Sequence, residues 1–594
     1  MNVTKKITFI AAGPPRPEGA AGPTPAEGAN AAPTPSRLLY MTGCQKRVYT
    51  EVTRRQKKEV GMPAIATEER HLLRTALPVL AVGMGLIVLD GTIVGVTLPT
   101  IIRDLSLTLA QAEWVNAVYS VVFAALLLTC GRLGDMLGTR RVFSIGLALF
   151  VVGSIACACS RTAAPLIAAR AFQGVGAACV LPSSLSAANN LFTGRSRPVA
   201  FGIWGATMSA AAALGPLIGG ALTTYASWPW VFWVNVPIGV GVIVAAQALV
   251  PDLRRTSERR VDLFGLVLSI IGFGGLVFGI IEGPSLGWWR SAARAEWVIG
   301  TGMSPVPVAL AVGLVAIALF LGWQRCEQVR GLAALLDLRL FRHQTFSWGN
   351  TAAFVIAAGE FALVFVLPLY LSAERELSAM GSGLVLAAMA GGAMASGASA
   401  RHVAARLSPT GTVILGLILE VAGVVALSQI IRAGWALGWI VVALVVYGIG
   451  LGLASAQLTS TVLVDVEADR SGQGSATQST VRQIGSACGV AAAGTLIAVV
   501  VPHQFDGLAA AARPSAQLVD ALVSSGGGIL PGLAAKAARG ALGPDGVGMV
   551  ARLADGYAAG IAWVVLLAGA LMVVGLAAAI RLAVVTRASS RPSA

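Results

Sequence analysis

Charge is scarce in this chain: 12% of its 594 residues are Asp, Glu, Lys or Arg, against 56% hydrophobic. That leaves too few polar side chains to dress a water-facing surface, which excludes an ordinary soluble multidomain protein and makes lipid the solvent. Histidines number four, all in tails or between apolar runs and none with a partner at ligand spacing, so nothing suggests a metal centre. The seven cysteines show neither zinc-ligand spacing nor a secreted disulfide framework. Cys130, Cys157, Cys159, Cys179 and Cys488 lie inside apolar stretches and read as small core residues. No Gly-x-x-x-x-Gly-Lys-Ser/Thr loop is present, so no nucleotide-driven step is implied. A cluster of His, Asp or Cys at a membrane face, which a membrane enzyme would need, is also missing. No cofactor is implied.

What is abundant is apolar length. Mean hydropathy is +0.76, and from Thr75 onward apolar stretches of about twenty residues, enough to cross a hydrocarbon core as helix, follow one another. They lie near 76–100, 113–131, 141–159, 163–190, 199–225, 230–250, 263–282, 305–324, 345–371, 380–400, 410–430, 435–458, 476–501 and 559–582. The expected fold is an all-α integral membrane protein with 14 transmembrane helices. The net charge of +15 does not point to nucleic acid, because the basic residues sit in short clusters between apolar runs. Arg132, Arg140, Arg141, Arg195, Arg197, Arg254, Arg255, Arg259, Arg260, Arg325, Arg330, Arg401 and Arg406 occupy alternate short loops, which places those loops and both termini in the cytoplasm. Trp114, Trp228, Trp230, Trp288, Trp289 and Trp435 cluster at the opposite ends and mark the outer interface.

Residues 1–74 are rich in Ala, Gly and Pro, then basic from Lys46 to Lys58, with no apolar segment after the early lysines. They read as a disordered basic cytoplasmic tail rather than a signal peptide, with Met41 and Met62 as alternative starts. A short cytoplasmic tail is expected over 586–594. The connections 283–304 and 502–558 fall outside, the second with short surface helices around Ser515–Ser525.

Four motifs carry chemistry. Gly131-Arg-Leu-Gly-Asp135-Met-Leu-Gly138-Thr-Arg140-Arg141 follows the second spanner; its glycines allow a tight turn, and Asp135 can hold arginines against a neighbouring helix end. Arg170-Ala-Phe-Gln173-Gly174 lies in the fourth spanner. Gly205 and Gly215-Pro216-Leu-Ile-Gly219-Gly220 lie in the fifth, where small residues let helices pack backbone to backbone. Leu89-Asp90-Gly-Thr92 through Leu98-Pro99 lies in the first.

Together these motifs resemble the major facilitator superfamily, and within it the fourteen-spanner drug:proton antiporters of the EmrB/QacA type. The resemblance covers about residues 75 to 585 and includes Asn235-Val-Pro237, Leu367-Pro368 and Arg482-Gln483. It departs at Met136 and Thr139, where the family carries basic residues, and at Gly95, where it carries asparagine. The resemblance implies two six-helix bundles, 75–250 and 345–585, with the inserted helix pair in 251–344. Substrate would bind between the bundles, which open alternately to each side. The loop 400–410 echoes the first motif but carries Ala405 in place of the aspartate.

An ionised carboxylate at the bilayer centre costs about 3 kcal/mol on insertion scales, so Asp90, Glu360 and Glu420 each invite a functional reading. They are the candidate proton-coupling acids, with Arg170 and Gln173 as coupling partners and an Asp90–Arg170 interaction expected from matched depth. The plainer alternatives are a permanent ion pair for Asp90 and hydrogen-bonded structural acids for the other two. The implied activity is proton-coupled export of small hydrophobic molecules, with lipid as surroundings, protons and substrate as ligands, and a single copy sufficient. The competing readings are a dedicated exporter of an endogenous compound, a passive channel and a membrane sensor.

Overall fold

The computed structural model describes residues 67–192, 196–252, 262–291, 302–332, 334–467, 470–508 and 513–589. The expectations for residues 1–66, Arg195, Arg254, Arg255, Arg259, Arg260 and residues 590–594 lie outside the described residues. Among those described, no strand forms beyond an isolated bridge between Arg290 and Met303. Fourteen helices are long and apolar enough to cross a membrane.

The chain opens with α1, Thr67–Arg74, so the stretch read as tail through residue 74 is helical at its end. The first spanner is α2, Ala76–Leu105. The N-terminal spanners continue as α3, Leu109–Leu137, α4, Thr139–Cys159, α5, Ala163–Leu191, and α6, Ser196–Tyr225. The sixth is split into a single turn, α7, Trp230–Trp233, and α8, Asn235–Leu249. Next come α9, Leu263–Leu286, and α10, Pro305–Val329. The C-terminal set is α11, Gln344–Ala373, α12, Ala379–Leu407, α13, Pro409–Arg432, α14, Leu437–Val462, and α15, Ser471–His503. Two short outer helices, α16, Ala516–Ser524, and α17, Leu530–Ala538, precede α18, Gly546–Ser589.

Most spanners outrun their apolar stretches, because polar residues cap them beyond the hydrocarbon. Thr108 and Gln111 form a reciprocal capping box at the start of α3, and Ser304 and Ser408 cap α10 and α13 just ahead of Pro305 and Pro409. The outer connection expected over 502–558 is shorter than read. Much of it is helical, and α18 begins at Gly546 and runs through to Ser589, into the stretch read as a C-terminal tail.

The N-terminal spanners pack through α2 on α6, α3 on α5, and α4 on α5; the C-terminal ones pack through α13 on α14, α12 on α14, and α11 on α15 and α18. The two sets meet where α6 lies on α12 and where α3 lies on α15. The inserted α9 packs on α3 and α15 and carries α10 on its far side. Depth of burial follows: 78% of the central apolar stretch of α2 and of α11 is enclosed, against 22% for α10. The first two helices stand in the middle and the last one faces lipid.

One apolar core joins the outer half of the N-terminal set, from Leu89 to Leu109, to the C-terminal set, where it runs the full depth of α11 from Phe346 to Leu371. The inner half of the N-terminal set has its own core, Ala76 through Ile87 with Phe143, Leu147 and Val180, which draws only Ala476 from the C-terminal set. Among the described residues, the two sets therefore share apolar packing at the Trp-marked outer ends and little of it between the inner half of the N-terminal set and its neighbour.

Candidate functional site

Asp90 sits at the middle of α2 and is 1% exposed, as is Arg170 on α5. Their Oδ2 and Nη1 atoms are 2.5 Å apart, so the expected pairing is direct. The surrounding donors leave little unmet. Arg170 Nε donates to the Val115 carbonyl at 3.1 Å and Nη1 to Gln173 Oε1 at 2.8 Å. Asp90 Oδ1 accepts from Asn235 Nδ2 at 2.9 Å and from Gln173 Nε2 at 3.3 Å. Gln173 Nε2 and Asn235 Nδ2 both reach Ser154 Oγ, and Cys157 donates to Gln173 Oε1. The guanidinium lies 4.4 Å from the centroid of the Tyr119 ring. A charge pair out of water holds only with such a full set of hydrogen bonds. Five helices converge here: α2, α3, α4, α5 and α8.

Asn235 and Ser154 were not read as site residues. Asn235 was visible inside the Asn-Val-Pro stretch, but nothing in sequence spacing shows that the break between α7 and α8 aims it at Asp90. Ser154 carried no signal.

Glu360 on α11 keeps 21% of its side chain exposed. Its Oε2 lies 3.8 Å from Nη2 of Arg482 on α15, which is 37% exposed. This second acid–arginine pair is looser and wetter than the first. Glu420 on α13 makes no hydrogen bond to that pair among the described residues, but it lies close enough to interact electrostatically with both Glu360 and Arg482. It is fully buried among α13 and α14 beside Tyr447, and among the described residues neither of its carboxylate oxygens nor the Tyr447 hydroxyl has a hydrogen-bond partner.

The loop motif sits at the inner ends of α3 and α4. Asp135 accepts from Ser186 of α5 at 3.3 Å. Arg140 donates to the carbonyls of Gln247 and Val250, capping the end of α8, and Arg141 pairs with Asp252 at 3.5 Å. The carboxylate opposite Arg141 is Asp252, which follows α8. Gly131 packs on Pro182 and Gly134 on Ser183. Gly138 turns the chain at φ +103°, and an added Cβ would lie 2.3 Å from Asp252 Oδ1. Gly138→Ala is therefore expected to cost about 1–3 kcal/mol and to slow export, checked by thermal unfolding in detergent beside transport in vesicles.

The glycine–proline motif divides along α6. Gly205 looks into open space, since a Cβ there would meet nothing within 4 Å. Gly215 and Gly219 pack against Thr92 and Ile93 of α2, and Gly220 against the backbone of Ala379 and Met380 of α12. A Cβ on Gly383 would lie 2.3 Å from the Pro216 carbonyl oxygen. The motif thus closes the two bundles on the outer side by backbone contact.

Fourteen membrane-length helices among the described residues, packed in two sets with one acid–arginine pair buried inside the first and a looser one in the second, are the fold of a multi-pass membrane carrier. The matching family model is that of the Major Facilitator Superfamily, over residues 80–490, and the chain belongs to that family. It is 32% identical over 432 residues to the multidrug efflux pump LfrA of Mycolicibacterium smegmatis, covering 73% of this chain and 82% of that one. It is 29% identical over 426 residues to the tetracenomycin C resistance and export protein of Streptomyces glaucescens, covering 72% and 76%. Among solved structures, a bacterial homologue of the human lysosomal transporter Spinster, inward-facing and unoccupied, matches with a TM-score of 0.59 at 16% identity, covering 89% of this chain and 100% of that one. That likeness is one of fold.

Proposed function

We propose that this protein exports hydrophobic, including cationic, small molecules across the cell membrane in exchange for protons, as a single copy that opens alternately to either side. The observation that carries the reading is the Asp90–Arg170 pair, out of water and shared by five helices. Protonation of Asp90 removes the charge that holds Arg170, while Val115 and Gln173 keep the guanidinium in place. Helix α2 is then free to shift against α5. The names of the relatives, an efflux pump and a resistance and export protein, support the direction of transport.

One proton entering down about 100 mV releases about 2.3 kcal/mol, and a pH difference of one unit adds about 1.4. The sum sustains a cargo gradient of several hundredfold, by the rule of about 1.4 kcal/mol per tenfold.

Glu360 and Arg482 suit the cargo side of the exchange, because both keep part of their side chains exposed. Glu360→Gln leaves Arg482 without its counter-charge. A cation held about 8 Å from it meets about 2 kcal/mol of repulsion at an effective dielectric of about 20, or about thirtyfold in affinity. In an efflux-deficient bacterium, that variant is expected to lose resistance to lipophilic cations more than to neutral compounds. A panel of both, beside drug-dependent proton movement in vesicles, checks it. Full protection and full proton movement in both Asp90→Asn and Glu360→Gln would sink the reading.

A further inference from the structure

The seam between α3 and α15 holds an acid that takes no part in the network around Asp90. Glu113 stands near the start of α3, about 6 Å below its outer end, and is 2% exposed. A Cβ on Gly494 of α15 would lie 1.8 Å from its Oε1, so the carboxyl group lies on the backbone of the opposite bundle. Its Oε2 has no hydrogen-bond partner among the described residues. The apolar cluster of Ala117, Val121, Val277, Ile281, Ala487 and Ala491 seals the seam with residues of α3, α9 and α15.

The helices packed on α3 carry Asp90, Arg103 and Asp104 on α2, Arg140 and Arg141 on α4, and Arg170 on α5. They also carry Glu282 on α9, Arg482 and His503 on α15, and Asp520 on α16. Of these, Glu282, itself an acid, is the one that acts on Glu113. Glu282 is held in place by Trp114 Nε1 at 2.8 Å and Ser285 Oγ at 2.6 Å.

An ionised carboxylate in that setting, without a cation and beside another acid, is strongly disfavoured. The closed seam accommodates the neutral acid. When the outer side opens, α3 and α15 part and the same group meets external water, where the carboxylate is stable.

We propose that Glu113 is an external proton latch. An O–H bond forms on its carboxylate with a proton taken from the outer medium as the outer side closes, and that proton returns to the same medium on reopening. Glu113 therefore carries no net proton; it makes closure answer to external pH. The inference rests on the alternating-access reading above.

The closed state binds the extra proton, so closure is favoured in acid and lost as external pH rises. The test uses the full chain in nanodiscs, with its accessible native cysteines replaced and distance labels at Tyr225 and Trp435, both exposed at the outer end. In the otherwise wild-type protein the closed-to-open ratio is expected to fall as pH rises, by up to about tenfold per unit for one linked proton. Glu113→Gln is expected to take one proton out of that slope and to raise the ratio at high pH, leaving only the share that Asp90 carries. Retention of the original slope in Glu113→Gln, or its absence from the starting protein, overturns the latch. Should Glu113→Gln not fold, Glu113→Asp keeps the proton and must keep the slope with a displaced midpoint; a flat response there overturns the latch as well. Drug-driven proton uptake is measured separately in vesicles. Its absence from wild type would count against the exporter reading, whereas the latch stands or falls on the distance slope.

Discussion

Asp90→Asn is expected to abolish proton-driven export and to destabilise the protein by about 3–5 kcal/mol, the cost of removing one partner from a buried ion pair. The amide cannot take up and release a proton, and it leaves Arg170 as an uncompensated charge at 1% exposure. The two effects separate in a double variant. Asp90→Asn with Arg170→Gln removes both charges and is expected to recover most of the stability without recovering coupling. Thermal unfolding in detergent reports the first quantity, and drug-dependent proton uptake in vesicles the second. Export intact in the single variant would show that the pair is architectural. Stability unrecovered in the double would show that the network depends on Arg170 for more than neutralising Asp90, for instance through its contacts with Val115 and Tyr119.

The second large effect lies at the outer closure. At Gly383 the nearest atom to an added Cβ is the Pro216 carbonyl oxygen at 2.3 Å, which belongs to backbone and cannot turn aside. Gly383→Val must therefore hold α6 and α12 apart. Overpacking of this kind costs about 1–3 kcal/mol, and here the cost falls on the outward-closed state alone. The population is expected to shift by about 5- to 150-fold toward the outward-open state, with a matching loss of export. Distances between labels at the outer ends of α6 and α12 check the shift. An unchanged distribution would mean that the glycine contact does not govern closure.

Much of this was legible before any coordinates, because lipid imposes simple rules. Span number and topology follow from apolar length and arginine placement, and the Asp90–Arg170 pairing follows from two charges stranded at matched depth. What escaped depends on close approach between segments far apart in sequence. Asn235 reaches Asp90 because the chain breaks between α7 and α8. Arg482 meets Glu360 because α11 and α15 pack along much of their length. Glu113 carries no signal in the sequence, because only the approach of Gly494 from a distant segment marks it. Asp252, opposite Arg141, follows the end of α8 and has no mark in the loop motif. The extended helix ends came from capping residues, which hydropathy ignores.

The glycines at the outer seam carry a consequence for switching. Gly220 and Gly383 each present bare main chain to the other bundle, so joining the halves there freezes almost no rotamers and gives up little conformational entropy. Contact at those points gains little and costs little, beside the apolar core that joins the halves. The balance between the two orientations then stays shallow, within reach of the few kcal/mol that one proton delivers.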